Sequence, residues 1–250
     1  MKPISIQLYT LREAAEKDFP GVLRFVADTG YVGVEMAGLH GYRAGEIANI
    51  IADLGLEVSS GHAALPMPEN ITEIADTELT MGNTHVICGF GPDAFKTMDD
   101  IKAAADKFEQ AAELLEPYGI TFGFHNHWWE FAEVDGKYVY DVLMAEAPDV
   151  FSELDVYWAA YGKVDVVKIV EQYKSRLPLL HIKDGSLEEG KAHLAVGDGK
   201  LDMPAIIGAA DPDVLEWLVV ELDNFDGDMS YAVKRSYDYL VSNGLAAGNK

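Results

Sequence analysis

Basic residues, cysteine and long apolar runs are all scarce in this chain. Across 250 residues there are 19 Lys and Arg against 42 Asp and Glu, a formal charge of -23. Such a field opposes nucleic acids and anionic membranes, whose binding depends on Lys and Arg neutralising phosphates. The single cysteine, Cys88, excludes an intramolecular disulfide and is compatible with a reducing cytoplasm. No stretch approaches the ~20 apolar residues of a membrane-spanning helix. The opening Met1-Lys2-Pro3-Ile4-Ser5 runs straight into a strand-like segment, with no apolar core of a signal peptide. A soluble, cytoplasmic protein is therefore expected, with neither nucleic acid nor membrane as partner. Missing too are a Gly-rich phosphate or dinucleotide loop after the first apolar run and any linker-like break in composition.

What is present is enough apolar material for a large core, 49% of residues. It is distributed in eight short strand-like runs: Ile4 to Leu8, Val32 to Glu35, Glu57 to Ser60, His85 to Cys88, Ile120 to Phe124, Phe151 to Leu154, Leu177 to Ile182 and Trp217 to Val220. Most are too apolar to be half-exposed, as in a parallel sheet covered by helices. Amphipathic segments lie between them. The clearest is Met98 to Glu116, with Ile101, Ala104, Ala105, Phe108, Ala112 and Leu115 on one face. Gly30, Gly55 and Gly119 each stand just before a strand, where glycine suits the left-handed residue that ends a helix. Strand, helix, glycine, strand, at roughly 30 residues per unit, predicts a single-domain α/β protein, a (β/α)8 barrel, over residues 1–243. Gly244 to Lys250 is expected to be a loose tail.

Active sites of such barrels lie at the C-terminal ends of the strands. Four metal-type side chains stand there on successive units: Glu130, Asp155, His181 and Glu221. Taken singly, each carboxylate reads as a loop cap or an ion-pair partner. Together they look like one metal site at one end of the barrel. Three carboxylates and an imidazole suit a single divalent ion, Mn²⁺ first, with Mg²⁺, Co²⁺ or Zn²⁺ as alternatives. Gln7, Glu35, His62, His127, Trp129 and Trp158 stand at the same ends and are candidate substrate contacts. Sugars stack on aromatic faces.

The motifs His125-Asn126-His127 with Glu130-Phe131, Leu154-Asp155 with Tyr157-Trp158, His181-Ile182-Lys183-Asp184, Val196-Gly197-Asp198-Gly199 and Val219-Val220-Glu221 follow one another along the chain. In that order they resemble the xylose isomerase-like barrel superfamily, the sugar phosphate isomerase/epimerase group. The resemblance implies that Glu130, Asp155, His181 and Glu221 hold one divalent metal. It implies an isomerase or epimerase of a small sugar or sugar derivative, with Glu130 and Glu221 moving a proton beside a carbonyl through a metal-stabilised enediolate. Lys183 would then bind a substrate oxygen or stabilise the enediolate charge. Oligomers are common among proteins of this kind, so a homo-oligomer is an expectation here as well.

Other readings stay open. Inosose dehydratases and enzymes cleaving 3-keto glycosides begin with the same proton abstraction and end as lyases. A sugar-binding barrel without turnover is a third possibility. Apurinic endonucleases share the resemblance but place a His where this chain has Trp158 and an Asp where it has Lys191. At the residue level, Lys183 either faces substrate or pairs with Asp184. Glu35 either contacts substrate or supports a residue that does. His125 and His127 are either ligands or supports for Glu130. His193 is read as loop and Cys88 as a small core residue.

Overall fold

The computed structural model describes all 250 residues. Eight parallel strands form the barrel: β1 Lys2–Gln7, β2 Gly33–Met36, β3 Glu57–His62, β4 His85–Cys88, β5 Thr121–His125, β6 Phe151–Asp155, β7 Leu179–Ile182 and β8 Trp217–Val220. They neighbour one another in chain order, and β8 pairs with β1 through Ile4–Leu218, Ser5–Val219 and Ile6–Val220, which closes the sheet. Nine helices surround it: α1 Arg12–Thr29, α2 Ala44–Asp53, α3 Ile71–Met81, α4 Met98–Leu115, α5 Val139–Glu146, α6 Val156–Tyr161, α7 Val166–Tyr173, α8 Met203–Ala209 and α9 Met229–Ser242. None is long and apolar enough to cross a membrane.

The strands fall where the sequence places them, within a residue or two. Gly30, Gly55 and Gly119 have φ of 114°, 68° and 70°, the left-handed conformation expected at helix ends. On α4 the buried face is Ile101, Ala104, Ala105, Phe108, Ala111 and Leu115; Ala111 points inward in place of the predicted Ala112, which is half-buried.

Alternation along the strands sorts the interior into two environments. In β5, Phe122 and Phe124 point outward, and both rings pack against Phe108 of α4. Gly123 and His125 point into the barrel. The Phe151 ring fills the space beside Gly123 so closely that an added Cβ would lie 2.2 Å from it. In β6, Ser152 faces outward and accepts a hydrogen bond from Tyr140 of α5, whereas Phe151, Glu153 and Asp155 face inward. The barrel floor is thus apolar, with Phe151, Leu179 and Ile87 packed against Trp217. Its upper half is lined with charge.

Residues 244–250, expected to be loose, run alongside β1. Ala246 and Ala247 pair in parallel with Lys2 and Pro3, and the Asn249 amide donates to the Gly30 carbonyl. Arg176 ties a second junction, donating to the carbonyls of Met144, Ala147 and Val150 at the end of α5. Removing it leaves several orphaned carbonyls. Arg176→Ala is expected to cost about 2–3 kcal/mol in urea unfolding; an unchanged midpoint would show that water replaces the guanidinium.

Candidate active site

The mouth of the barrel is built by residues two apart on neighbouring strands. Glu153 and Asp155 end β6, His181 lies in β7 with Lys183 just beyond it, and Glu221 and Asp223 follow β8, each pair on the inward face. These pairs form two stacked layers.

In the lower layer His181 is held between carboxylates. Its Nε2 lies 2.7 Å from Glu35 Oε1 and 3.1 Å from Glu153 Oε2, and its Nδ1 lies 3.0 Å from Glu221 Oε2. His62 stacks over it, with Nε2 2.8 Å from Glu153 Oε2 and 3.2 Å from Glu35 Oε1. Burial alone would push both imidazoles down. The facing carboxylates override it, taking His62 up to about 10 and His181 well above its ordinary value. Glu35 also accepts from Gln7 and Ser60. Gln7 and Glu35, expected as substrate contacts, are buried, and their polar atoms bond to one another, to Tyr9, to Ser60 and to His181.

The upper layer surrounds Lys183. Its ammonium lies 3.0 Å from Asp155 Oδ2, 2.8 Å from Glu221 Oε2 and 2.9 Å from Asp223 Oδ2, with no side-chain exposure. Burial opposes the charge, but these three carboxylates raise its pKa above the usual lysine value. Asp184 is not its partner. The Asp184 carboxylate accepts from the backbone N–H groups of Gly185, Gly197, Gly199 and Leu201, which ties down the loop carrying Val196-Gly197-Asp198-Gly199. Only glycine fits at 199, where a Cβ would come within 2.0 Å of Asp184 Oδ1.

Three of the four sequence-predicted ligands converge. Donor atoms of Asp155, His181 and Glu221 lie within 4.8 Å of one another, together with one from His125; a second such group is His62, His125, Glu153 and His181. Glu130 lies in neither. It is buried in the 3₁₀ turn Trp129–Phe131, where its Oε2 accepts from the His127 amide at 2.8 Å. Asp155 serves twice: Oδ1 accepts from the Trp158 amide and caps α6, while Oδ2 faces the cluster. His127 stacks on Trp129 at 4.2 Å, and the Trp129 indole donates to the Phe90 carbonyl. Trp158 packs its ring over the Lys183 ammonium at 5.3 Å. His193 is more than loop: its Nδ1 accepts from the Asp223 amide, and burial lowers its pKa to about 4.

Two features fit this donor set to a divalent cation. Buried Glu153 Oε1 has no hydrogen-bond partner, and Asp155 Oδ2 and His125 Nδ1 make only charge contacts, with Lys183 at 3.0 Å and with Glu153 Oε2 at 3.3 Å. In addition, Glu35, Glu153, Asp155, Glu221 and Asp223 face only His62, His181 and Lys183 as cations, which leaves two negative charges even with both imidazoles protonated. Sequence reasoning gave no role to Glu153, whose Oε2 lies within 3.3 Å of His62, His125 and His181. The signal was there: an inward Glu two residues before Asp155 in a strand otherwise taken as apolar.

Carboxyl groups in the site differ sharply in proton affinity. Burial would raise Glu221, but Lys183 and His181 hold it well below the ordinary carboxylate value. Burial pushes Asp155 up to about 6 and Glu130 up to about 8. For Glu130 the folded value exceeds the ordinary 4.5, so the native state keeps a proton that the unfolded chain releases. Stability should therefore fall as pH rises from about 4.5 to about 8, by up to ~1.4 kcal/mol per pH unit, and level off above. Urea titrations in EDTA are expected to show a shallower decline for Glu130→Gln; parallel curves would contradict the buried, protonated acid.

Solved structures share this architecture. A sugar phosphate isomerase/epimerase from Parabacteroides distasonis ATCC 8503 superposes with a TM-score of 0.83 at 26% identity, over 98% of this chain and 96% of that one. An L-ribulose 3-epimerase gives 0.74 at 18% identity, over 98% and 95%. The IOLI protein, solved with a bound zinc atom, gives 0.72 at 15%, over 97% of each chain. The last two show the shared fold alone. No curated protein matches the sequence. The sequence model of the xylose isomerase-like TIM barrel family matches residues 23–241, nearly the whole barrel, and the chain belongs to that family.

Proposed function

We propose that the chain is a divalent-metal-dependent isomerase or epimerase of an unphosphorylated keto sugar or sugar derivative, moving a proton on the carbon beside the carbonyl. The observation that carries this reading is the buried group His125, Asp155, His181 and Glu221 at the C-terminal mouth, whose donor atoms converge where carboxylates outnumber cations. The sugar phosphate isomerase/epimerase from P. distasonis, at 26% identity along nearly the full length, supports the reaction class.

Asp155, His181 and Glu221 would hold the ion, with His125 as fourth ligand. When bound, a divalent ion, Mn²⁺ by our reading, supplies a Lewis acid for a carbonyl oxygen and its neighbouring hydroxyl. Glu221 is kept ionised by Lys183 and His181, the state needed to accept a proton. Glu130 is kept protonated by burial, the state needed to return one. Environments that push two carboxyl groups apart in this way suit acid and base roles. The Lys183 ammonium offsets negative charge that develops on the substrate oxygen. His62, still part-exposed above the lower layer, and Trp158 are the side chains we assign to substrate contact. Arg12 does not offer a phosphate site, because its guanidinium is committed to the carbonyls of Tyr9 and Asp223 and stacks on the Tyr9 ring.

The test is proton exchange. The Mn²⁺-loaded protein, incubated with neutral ketoses and keto sugars in D₂O, should place deuterium on the carbon next to the carbonyl of at least one of them and form its isomer. Exchange accompanied by loss of water would make the protein a lyase. Tight binding without any exchange would make it a binding barrel.

A further inference from the structure

The catalytic cluster accounts for one side of Trp158 and leaves the other unexplained. Beyond it lies a cavity of about 530 Å³ lined by Trp128, Tyr157, Trp158 and Tyr161 on one side and by polar residues of the loops after β7 and β8 on the other. The aromatic side is continuous. Trp128 and Trp158 have ring centroids 4.8 Å apart, Trp128 and Tyr161 5.8 Å, and Tyr157 and Tyr161 6.2 Å. Gly162 lets this wall close up, since a Cβ there would lie 2.8 Å from Phe131 and 3.2 Å from the Trp128 carbonyl.

Packing alone does not explain the arrangement. Trp128 leaves 41% of its surface exposed at the rim. The Trp158 indole N–H is buried with no acceptor, although a buried indole normally finds one. The cavity also adjoins the chemistry. Trp158 contacts the Lys183 ammonium, and His193, 5.4 Å from Trp158, lies between the cavity and Asp223.

We infer that this cavity is a subsite for a second sugar ring, so that the substrate is a keto sugar joined to another glycosyl unit. The inference rests on the isomerase reading of the adjacent cluster. A pyranose presents C–H groups on its faces, which stack on Trp128 and Tyr161, and hydroxyls around its edge. The edge meets Glu188, Lys191, Asn224 and Asp226. Asn224 spends its side-chain oxygen on the His193 amide, which leaves its N–H groups for a hydroxyl. One lysine among two carboxylates gives the rim a net negative charge, so a phosphate or carboxylate in place of the second ring is disfavoured.

The test is binding, followed by tryptophan fluorescence and calorimetry, of D-glucose, cellobiose, maltose and phenyl β-D-glucoside to the metal-free and Mn²⁺-loaded protein. At least one disaccharide should bind about tenfold or more tightly than glucose. Trp128→Ala should abolish that advantage while leaving glucose affinity within about twofold, and Trp128→Phe should restore most of it. The subsite is overturned if disaccharides bind no better than glucose, if only the phenyl glucoside gains, or if Trp128→Ala changes all four sugars alike. Because the readout is a ratio of affinities, it is separable from the metal. Failure to bind Mn²⁺ with the disaccharide advantage intact would sink the isomerase reading alone.

Discussion

Lys183→Met is expected to leave a protein that is strongly destabilised without metal and largely recovered by Mn²⁺. The lysine ammonium is buried and lies within 3.0 Å of Asp155, Glu221 and Asp223. Removing it leaves buried Asp155 and Glu221 and part-exposed Asp223 facing one another without a cation. Loss of one partner from a buried charge cluster typically costs about 3–5 kcal/mol. For a chain of this length that is a drop of about 6–20 °C in Tm. Methionine preserves most of the side-chain volume, so the loss reports charge and not a cavity. A divalent cation should reverse much of the effect, because Asp155 and Glu221 are two of its proposed ligands. Equal melting of wild type and variant in EDTA would contradict the assigned charge balance.

Glu221→Gln is expected to lower the rate of solvent deuterium exchange into substrate by about 10²–10⁴, the range typical of a lost general base. Glu221 is the carboxylate that Lys183 and His181 hold ionised, and only the ionised form accepts a proton. The amide keeps the shape of the group and can still hydrogen-bond His181, so far-UV circular dichroism should be unchanged. In a sugar-binding barrel without turnover, the same substitution would leave ligand affinity similar and there would be no exchange to lose.

The barrel is legible in the sequence because its signals are local. Short apolar runs, an amphipathic α4 and left-handed glycines before β2, β3 and β5 need no tertiary information. The site is legible in part. Asp155, His181 and Glu221 stand at strand ends, and strand ends of a parallel barrel converge. Glu153 is harder to see, because its burial follows from alternation within a strand and not from any feature of the motif. Glu130 lies beyond the end of β5, in a 3₁₀ turn whose direction depends on Trp129 reaching the Phe90 carbonyl. Inward-facing His125 is the donor that β5 brings to Asp155, His181 and Glu221. Docking of residues 244–250 on β1 could not be read either, since a two-residue strand carries no periodicity.

The most direct test of the central claim is metal content after reconstitution with Mn²⁺ and removal of excess ion, on the wild type and on a folded Asp155→Asn/Glu221→Gln double variant. The account predicts one ion per wild-type chain and none in the variant. No retained ion in the wild-type chain, or equal retention in both proteins, would contradict it.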